Sequence, residues 1–166
     1  MIKQFNAFIL FTFILFSSHI FATTSFAEVS QAPDIDLPGL NANVQLKNYK
    51  GKVVYLDFWA SWCLPCQKSF PWMHDIKQKY ASRGFEIVAI NLDKDKKLAD
   101  EFLKGMDVNF VVAFDDSGKS ASAYKLRGMP SSYLIGRDGK IHASHIGFRD
   151  QDKAQLEQVI TDLLVK

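Results

Sequence analysis

The sequence predicts a single α/β domain in which a mixed β-sheet is flanked by helices. Strand-like apolar runs alternate with amphipathic helical runs, and the last two strands are joined by a hairpin signal. With 166 residues, of which 48% are hydrophobic and 23% charged, the chain has the length and composition of one globular domain. We expect the strands separated by helices to run parallel, and the hairpin to add antiparallel strands.

The N-terminal segment has the features of an export signal. Lys3 precedes an apolar run over residues 7–16, and small residues at Ser25 and Ala27 occupy the two positions that a signal peptidase reads. We predict a signal peptide over 1–27 and the folded domain over 28–166. The apolar run is shorter than the roughly 20 residues that a spanning helix needs. An uncleaved anchor is the alternative. Either segment would deliver the domain to the periplasm or the outer membrane face, which are oxidising settings.

The first half of the domain contains two buried strands and the helix between them. Residues 31–43, rich in Pro, Gly and Asn, predict an irregular or hairpin-forming start. Residues 53–59, VVYLDFW, are β-branched or aromatic without alternation, which is typical of a strand buried on both faces. Residues 63–83 have helical spacing that Gly84 ends. Residues 85–91, FEIVAIN, predict a second buried strand.

The second half continues the alternation and ends with a hairpin and a helix. Its pattern predicts a helix over 94–104, a strand over 109–114 and a short helix over 119–126. Two strands follow over 132–135 and 140–146, and a final helix over 151–165. Asp138 and Gly139 separate the last two strands, and Asp-Gly is a hairpin signal.

Charge and cysteine content exclude several classes of protein. Lys and Arg number 20 against 18 Asp and Glu, whereas a nucleic-acid binder usually carries a larger and more clustered basic excess. Two cysteines are too few for a disulfide-stapled miniprotein or a four-thiolate zinc site. We expect no nucleic-acid partner, no metal and no cofactor, and a single thiol pair remains as the source of chemistry.

That pair is Cys63 and Cys66, which follow a buried strand and stand where a helix begins. A helix N-terminus carries unpaired N–H groups and about half a positive charge, which favours a thiolate. We predict that the exposed Cys63 attacks a substrate disulfide and that the more shielded Cys66 resolves the mixed disulfide. The alternatives are an inert disulfide, two buried thiols or a metal pair. A bridge that closes so short a loop would stabilise the fold weakly.

An acidic residue, Asp57, interrupts the first buried strand. A buried carboxylate without a partner is costly, so its pKa should rise or it must find a partner. Asp57 lies nine residues before Cys66 and could pass a proton to or from that thiol, directly or through water. The alternatives are that Asp57 faces out at the edge of the sheet or bonds a lysine such as Lys77.

The residues around the cysteines carry a family resemblance. Residues 58–66, FWASWCLPC, followed by Pro71, resemble the active-site stretch of thioredoxins. The segments 32–35 (APDI), 51–54 (GKVV) and 128–130 (GMP) are similar to those of the TlpA/ResA-like branch, which comprises exported thiol–disulfide oxidoreductases. The resemblance covers nearly all of the domain. It implies a thioredoxin fold, with a mixed central sheet flanked by helices, an N-terminal extension and a short extra helix.

The resemblance also implies an activity and partners. It implies a protein-disulfide reductase that acts on disulfide-containing exported proteins and receives electrons from a membrane donor of the DsbD or CcdA type. We expect a monomer, since isomerases of this class usually need a dimerisation segment and none precedes the fold. The chain departs from the branch at Ser69, where Glu is frequent, and at Asp57, where Asn is frequent. Asp57 instead resembles the buried acid of thioredoxin.

A substrate-binding surface is implied at Met129 and Pro130. The resemblance implies a cis peptide between them, in a loop beside the cysteines, with the backbone of Met129 free to pair with an extended substrate. The alternative is an ordinary trans-proline turn. We expect Trp62 on the exposed surface around the thiol, and Trp59 and Trp72 in the core.

Two other functions fit parts of the pattern. A peroxiredoxin-like peroxidase would need a lone peroxidatic cysteine with an upstream threonine at helical spacing, and Ser61 and Trp62 stand there instead. A metal chaperone or non-enzymatic binding scaffold would use a longer cysteine spacing and a distant histidine. His142 and His145 are the candidates, but residues three apart on a strand point to opposite faces, and we expect both to be exposed to solvent.

Overall fold

The computed structural model describes residues 30–166. The predicted signal peptide or anchor over 1–27 therefore lies outside the described residues. The chain enters the fold through a small antiparallel hairpin of β1 (Asp36–Leu37) and β2 (Val44–Gln45), followed by a 3-10 turn at Leu46–Tyr49. Of the helices in the described part of the chain, none combines the length and apolar composition that a membrane crossing needs.

A five-stranded mixed sheet forms the centre of the domain. Its strands are β3 (Val53–Trp59), β4 (Phe85–Asn91), β5 (Val111–Phe114), β6 (Ser131–Ile135) and β7 (Ile141–Ile146). They lie in the order β5-β4-β3-β6-β7, with β3, β4 and β5 parallel and β6 and β7 antiparallel to their neighbours. The predicted mixed sheet is confirmed, and β3 lies at its centre.

Four helices pack around this sheet. They are α1 (Leu64–Tyr80), α2 (Lys96–Lys104), α3 (Lys119–Ala123) and α4 (Asp152–Leu164). The α2 helix is the short extra helix that the resemblance implies, and the β1–β2 hairpin belongs to the N-terminal extension. Together these elements give the α/β architecture expected from the sequence.

Separate apolar clusters cover the two faces of the sheet. One face holds Tyr55 and Trp59 of β3 together with the buried sides of α1 and α4. The other holds Leu56 and Phe58 of the same strand together with the N-terminal segment and Tyr124. Because both faces are covered, every residue of β3 and β4 is buried, which is why neither strand shows polar alternation.

Three predicted helix boundaries differ from those observed by two residues or more, each for a local reason. The first helix ends at Tyr80 and passes into a 3-10 turn before Gly84, which adopts φ +82°. The α2 helix begins two residues later than predicted because the Asp95 side chain accepts a hydrogen bond from the Lys97 backbone and caps it. The α3 helix ends before residue 126 because Lys125 has φ +53°, which a helix does not accommodate.

Candidate active site

Cys63 and Cys66 form a disulfide at the N-terminus of α1, immediately beyond the end of the central strand. Cys63 is the N-cap residue of α1, and its Sγ accepts a hydrogen bond from the backbone N–H of Cys66 at 3.3 Å. Cys63 is 5% exposed and Cys66 is fully buried. The expectation of an exposed Cys63 is therefore wrong for the oxidised domain, because both cysteines pack into the core beneath the start of α1, and Cys63 only retains more exposed surface than Cys66.

The turn that leads from β3 to Cys63 is held by a buried carboxylate. Asp93, which follows β4, accepts hydrogen bonds from the backbone N–H of Ser61 at 2.9 Å and from its hydroxyl at 3.1 Å. The Asn91 side chain donates to the same carboxylate at 2.8 Å, and Gln67 of α1 donates to the Ser61 carbonyl at 3.1 Å. These contacts tie the cysteine turn to the neighbouring parallel strand and to the first turn of the helix.

Asp57 lies on the central strand and is 1% exposed, on the same face as the cluster that contains the disulfide. Its cross-strand neighbours are Ala89 on β4 and Ser132 on β6. The position at the centre of the sheet excludes the edge alternative. Lys77 does not bond it, because its amine pairs with Glu86 at 2.7 Å.

The environment of Asp57 disfavours its charged form. Burial raises its pKa well above the ordinary value, and within residues 30–166 its Oδ2 atom has no hydrogen-bond partner. Burial also raises the pKa of Tyr55, and the nearby Asp57 carboxylate raises it further, while a hydrogen bond with Ser132 opposes the shift. Asp57 is thus a buried carboxyl group that holds a proton more tightly than an exposed aspartate does.

The surface around the disulfide is apolar. Trp62 is 67% exposed and Leu64 is 68% exposed, one on each side of Cys63 in the chain. Met129 is half-buried against the core, Pro130 is buried, and the peptide bond between them is cis. Exposed aromatic and aliphatic side chains beside a reactive sulfur can contact apolar residues of a partner.

Trp59 and Trp72 occupy the core, as the sequence predicts. Trp59 meets Phe70 edge to face with ring centroids 4.9 Å apart, and Trp72 meets Tyr55 in the same way with ring centroids 5.6 Å apart.

Sequence reasoning missed one residue beside the Met129–Pro130 loop and one beside the cysteine turn. Ile146 at the end of β7 is half-exposed, and the next residue, Gly147, donates a backbone hydrogen bond to the Pro130 carbonyl at 2.8 Å. Asp93 was missed although it is a polar residue directly after a predicted parallel strand, which places it at the same sheet edge as the cysteines. The position of Asp93 directly after a predicted parallel strand is therefore the feature of the sequence that could have identified it.

Both histidines are partly exposed, with 24% of each side chain accessible, and His142 contacts Asp138 at 3.1 Å while His145 lies 3.2 Å from Asp152 of α4. A β-bulge lies at His142, so strand alternation does not fix its direction. The two residues nevertheless border different cavities, His142 beside Tyr133 and His145 beside Ser132. Across residues 30–166, three or more His, Cys, Asp or Glu side chains nowhere gather closely enough to hold a metal ion.

The sheet order, the cis-proline loop and the disulfide at the start of α1 define a redox domain of the thioredoxin fold. The chain matches the Redoxin family over residues 27–160 and belongs to it. It is 38% identical to the thiol–disulfide oxidoreductase ResA of Bacillus cereus over 128 residues, which is 76% of this chain and 73% of that protein.

The chain is also similar to solved structures of thiol–disulfide and thioredoxin proteins. A protein from Chlorobium tepidum assigned as the thiol:disulfide interchange protein DsbE is 48% identical with a TM-score of 0.81, covering 82% of this chain and 96% of that one. The exposed lipoprotein thioredoxin Etrx1 of Streptococcus pneumoniae is 31% identical with a TM-score of 0.69, covering 79% and 100%. With its cysteine pair in disulfide form, the chain is a thiol–disulfide oxidoreductase.

Proposed function

We propose that the protein reduces disulfide bonds of exported proteins through its Cys63–Cys66 pair. The observation that carries this is the asymmetry of the pair: Cys63 caps a helix N-terminus and retains some exposure, whereas Cys66 is fully buried. A strong oxidant of the DsbA kind carries a long helical insertion, and here the segment between β4 and β5 contains only the nine-residue α2. These features support a reductase.

The reaction follows from the positions of the two sulfurs. In the reduced domain the Cys63 thiolate attacks one sulfur of the substrate disulfide and releases the other as a thiolate. The Cys66 thiol then gives up its proton and attacks the Cys63 sulfur, which forms the disulfide seen here and releases the second substrate thiolate. Two electrons pass to the substrate, and each of its sulfurs takes up one proton.

Asp57 serves as the proton acceptor for Cys66 in this account. Cys66 is fully buried, so its proton has no direct route to solvent. Asp57 is the buried acid on the same face of the sheet, and its raised pKa makes its carboxylate a stronger proton acceptor than that of an exposed aspartate. The carboxylate receives the proton of Cys66 as that sulfur attacks.

The substrate segment binds across the apolar surface that borders Cys63. Trp62 supplies the exposed aromatic contact, and Met129 and Pro130 form the facing loop, where the Met129 backbone pairs with an extended chain. Leu64 and Ile146 extend the same surface. Apolar residues next to the substrate cysteine are therefore favoured.

The proposed setting is the periplasm. Residues 1–27 act as a signal peptide or an anchor, and residues 28–166 work as a monomer outside the cytoplasm. The relative from Streptococcus pneumoniae is an exposed lipoprotein, which supports this location. Because that compartment oxidises thiols, a reductase there needs electrons delivered across the membrane, and a donor of the DsbD or CcdA type would supply them.

The test is catalysis of disulfide reduction in a protein substrate. Residues 28–166 should accelerate the reduction of insulin by dithiothreitol, and Cys63→Ser and Cys66→Ser should each abolish the acceleration. With a peptide disulfide, Cys66→Ser should accumulate a mixed disulfide through Cys63, while Cys63→Ser should form none. Equal trapping by the two variants would overturn the assigned roles.

A further inference from the structure

Three polar residues lie in register across three adjacent strands. Asp57 of β3 is paired with Ser132 of β6, and Ser132 is paired with His145 of β7. Directly opposed residues on neighbouring strands project to the same face of a sheet. The three side chains therefore form a polar row that runs from the centre of the sheet to its edge strand, beneath α1 and α4.

The two ends of this row each carry a buried polar atom without a hydrogen bond. Oδ2 of Asp57 and Nε2 of His145 are two of the three such side-chain atoms found between residues 30 and 166. Buried polar atoms are generally hydrogen-bonded, so unsatisfied ones indicate a role or a missing water. Both occur on one row of neighbouring residues.

A small cavity adjoins the outer part of the row. It has a volume of about 50 Å³, and its polar lining includes Ser132, His145 and Gln155 of α4. A cavity holds a water molecule when it offers at least about 10–15 Å³ and two or more polar partners. The space therefore suits water that links the Ser132 hydroxyl to the imidazole.

The outer end of the row reaches the surface through an ionic cluster. Nε2 of His145 lies 3.2 Å from Oδ2 of Asp152, although not in hydrogen-bonding alignment. Arg149 donates to Asp152 through its side chain at 3.0 and 3.1 Å, and the Arg149 side chain is 67% exposed. The imidazole ring is 24% exposed while its Nε2 atom is buried, so the ring borders solvent through its other atoms.

We propose that Ser132 and His145 relay protons between the buried Asp57 and solvent. The inference rests on the proposed role of Asp57 as the acceptor for Cys66. It explains how the Asp57 carboxylate is regenerated after each cycle, because a carboxyl group that is 1% exposed cannot release its proton directly to water.

The proton balance is simple. After Cys66 has attacked, Asp57 carries the thiol proton. The Ser132 hydroxyl, which bonds Tyr55 in this structure, turns toward its cross-strand neighbour Asp57 and accepts that proton while passing its own to water in the cavity. The imidazole of His145 then takes up the proton from that water and releases it to bulk solvent. Electrons move only between the sulfurs, so the relay needs no oxidant or reductant.

Other polar and charged groups face the row from the elements around it. Tyr55 neighbours Asp57 on β3, Gln155 and Asp152 project from α4, and Arg149 lies in the loop before that helix. On the β4 side the neighbour of Asp57 is Ala89, which offers no proton acceptor. The row through Ser132 is therefore the polar connection from Asp57 across the sheet.

The test compares two histidines of one strand. His145→Ala removes the relay group, and His142→Ala is the matched control, because the His142 side chain is equally exposed but borders a different cavity. The readout is the rate of Cys66 attack, measured by stopped-flow tryptophan fluorescence when the reduced domain meets a saturating peptide disulfide. We expect His145→Ala to slow this rate about tenfold, below the 10²–10⁴-fold effect of a complete general base. His142→Ala should leave it unchanged.

Two further measurements separate a relay from a structural role. Free imidazole should restore the rate of His145→Ala, and His145→Ala should add nothing to the effect of Asp57→Asn. If His145→Ala does not fold, His145→Gln takes its place and should be equally slow. A His145 variant within twofold of the parent rate, or one that imidazole does not restore, overturns the relay. If Asp57→Asn itself leaves the rate unchanged, Asp57 is not the proton acceptor of Cys66, and this result refutes the proposed role of Asp57 separately from the relay.

Discussion

The carboxylate of Asp93 binds both the backbone amide and the hydroxyl of Ser61, across 32 residues of sequence. This pair joins the end of β4 to the turn that delivers Cys63 to the helix N-terminus. Asp93 is 4% exposed, so its hydrogen bonds form in a largely water-excluded environment. The position of the reactive sulfur depends on this contact as well as on α1.

We expect Asp93→Asn to destabilise the oxidised domain by about 1–3 kcal/mol, because the new amide group presents donors to the donors of Ser61 and Asn91. Urea unfolding with the disulfide intact measures the change. Asp116→Asn is the control, since that residue is exposed and should shift stability by less than about 0.5 kcal/mol. Equal effects of the two substitutions would contradict the role assigned to Asp93.

Asp57 should make stability depend on pH. Burial raises its folded-state pKa above the ordinary value of 3.8, so the folded protein keeps a proton that the unfolded chain releases. The stability this contributes is fully present below 3.8 and is lost as the pH rises toward the folded pKa, by about 1.4 kcal/mol per pH unit.

Asp57→Asn should remove this dependence and should be more stable than the parent at neutral pH, because the amide neither buries a charge nor takes up a proton on folding. Urea unfolding of both proteins between pH 4 and pH 8 provides the comparison. Parallel pH profiles for parent and variant would show that Asp57 does not titrate as the structure indicates.

Lys77 and Lys79 offer a direct comparison of a buried and an exposed ion pair on one helix. The Lys77–Glu86 pair is 15% and 11% exposed, whereas the Lys79–Glu157 pair is 60% and 30% exposed. Lys77→Met should cost about 2 kcal/mol, because Glu86 would keep only the distant Lys52 amine at 3.8 Å. Lys79→Met should cost less than Lys77→Met, because solvent screens an exposed ion pair. Thermal unfolding of the two variants checks the order, and a reversed order would refute it.

Ile146 should affect recognition and not redox chemistry. Ile146→Ser removes apolar surface beside the Pro130 loop, and we expect the KM for a peptide disulfide with flanking apolar residues to rise about fivefold, equivalent to about 1 kcal/mol of contact. The rate with the small disulfide of oxidised dithiothreitol should not change. Leu40→Ser, an exposed apolar site in the N-terminal segment, is the control and should alter neither value.

The central strands and the cysteine helix could be predicted because their signals are local. The runs at 53–59 and 85–91 lack alternation since both faces are covered, and their predicted bounds match those of β3 and β4. The cysteine spacing identified the start of α1 to within one residue.

Contacts between distant elements could not be predicted in the same way. Ser61 and Asp93 meet only because β3 and β4 are parallel and in register. The environment of His145 is formed by α4 and the loop before it, and the residue pattern within β7 gives no information about these distant segments. The row from Asp57 to His145 likewise needs two strand registers, each of which a slip of one residue would destroy.

The reduction potential of the Cys63–Cys66 couple tests the proposed direction of the reaction most directly. Residues 28–166 would be equilibrated with glutathione or dithiothreitol buffers, and the two thiol states separated after alkylation. A reductase should give a potential near or below a glutathione poise of about −220 mV. A value near −120 mV would identify an oxidant and contradict the account.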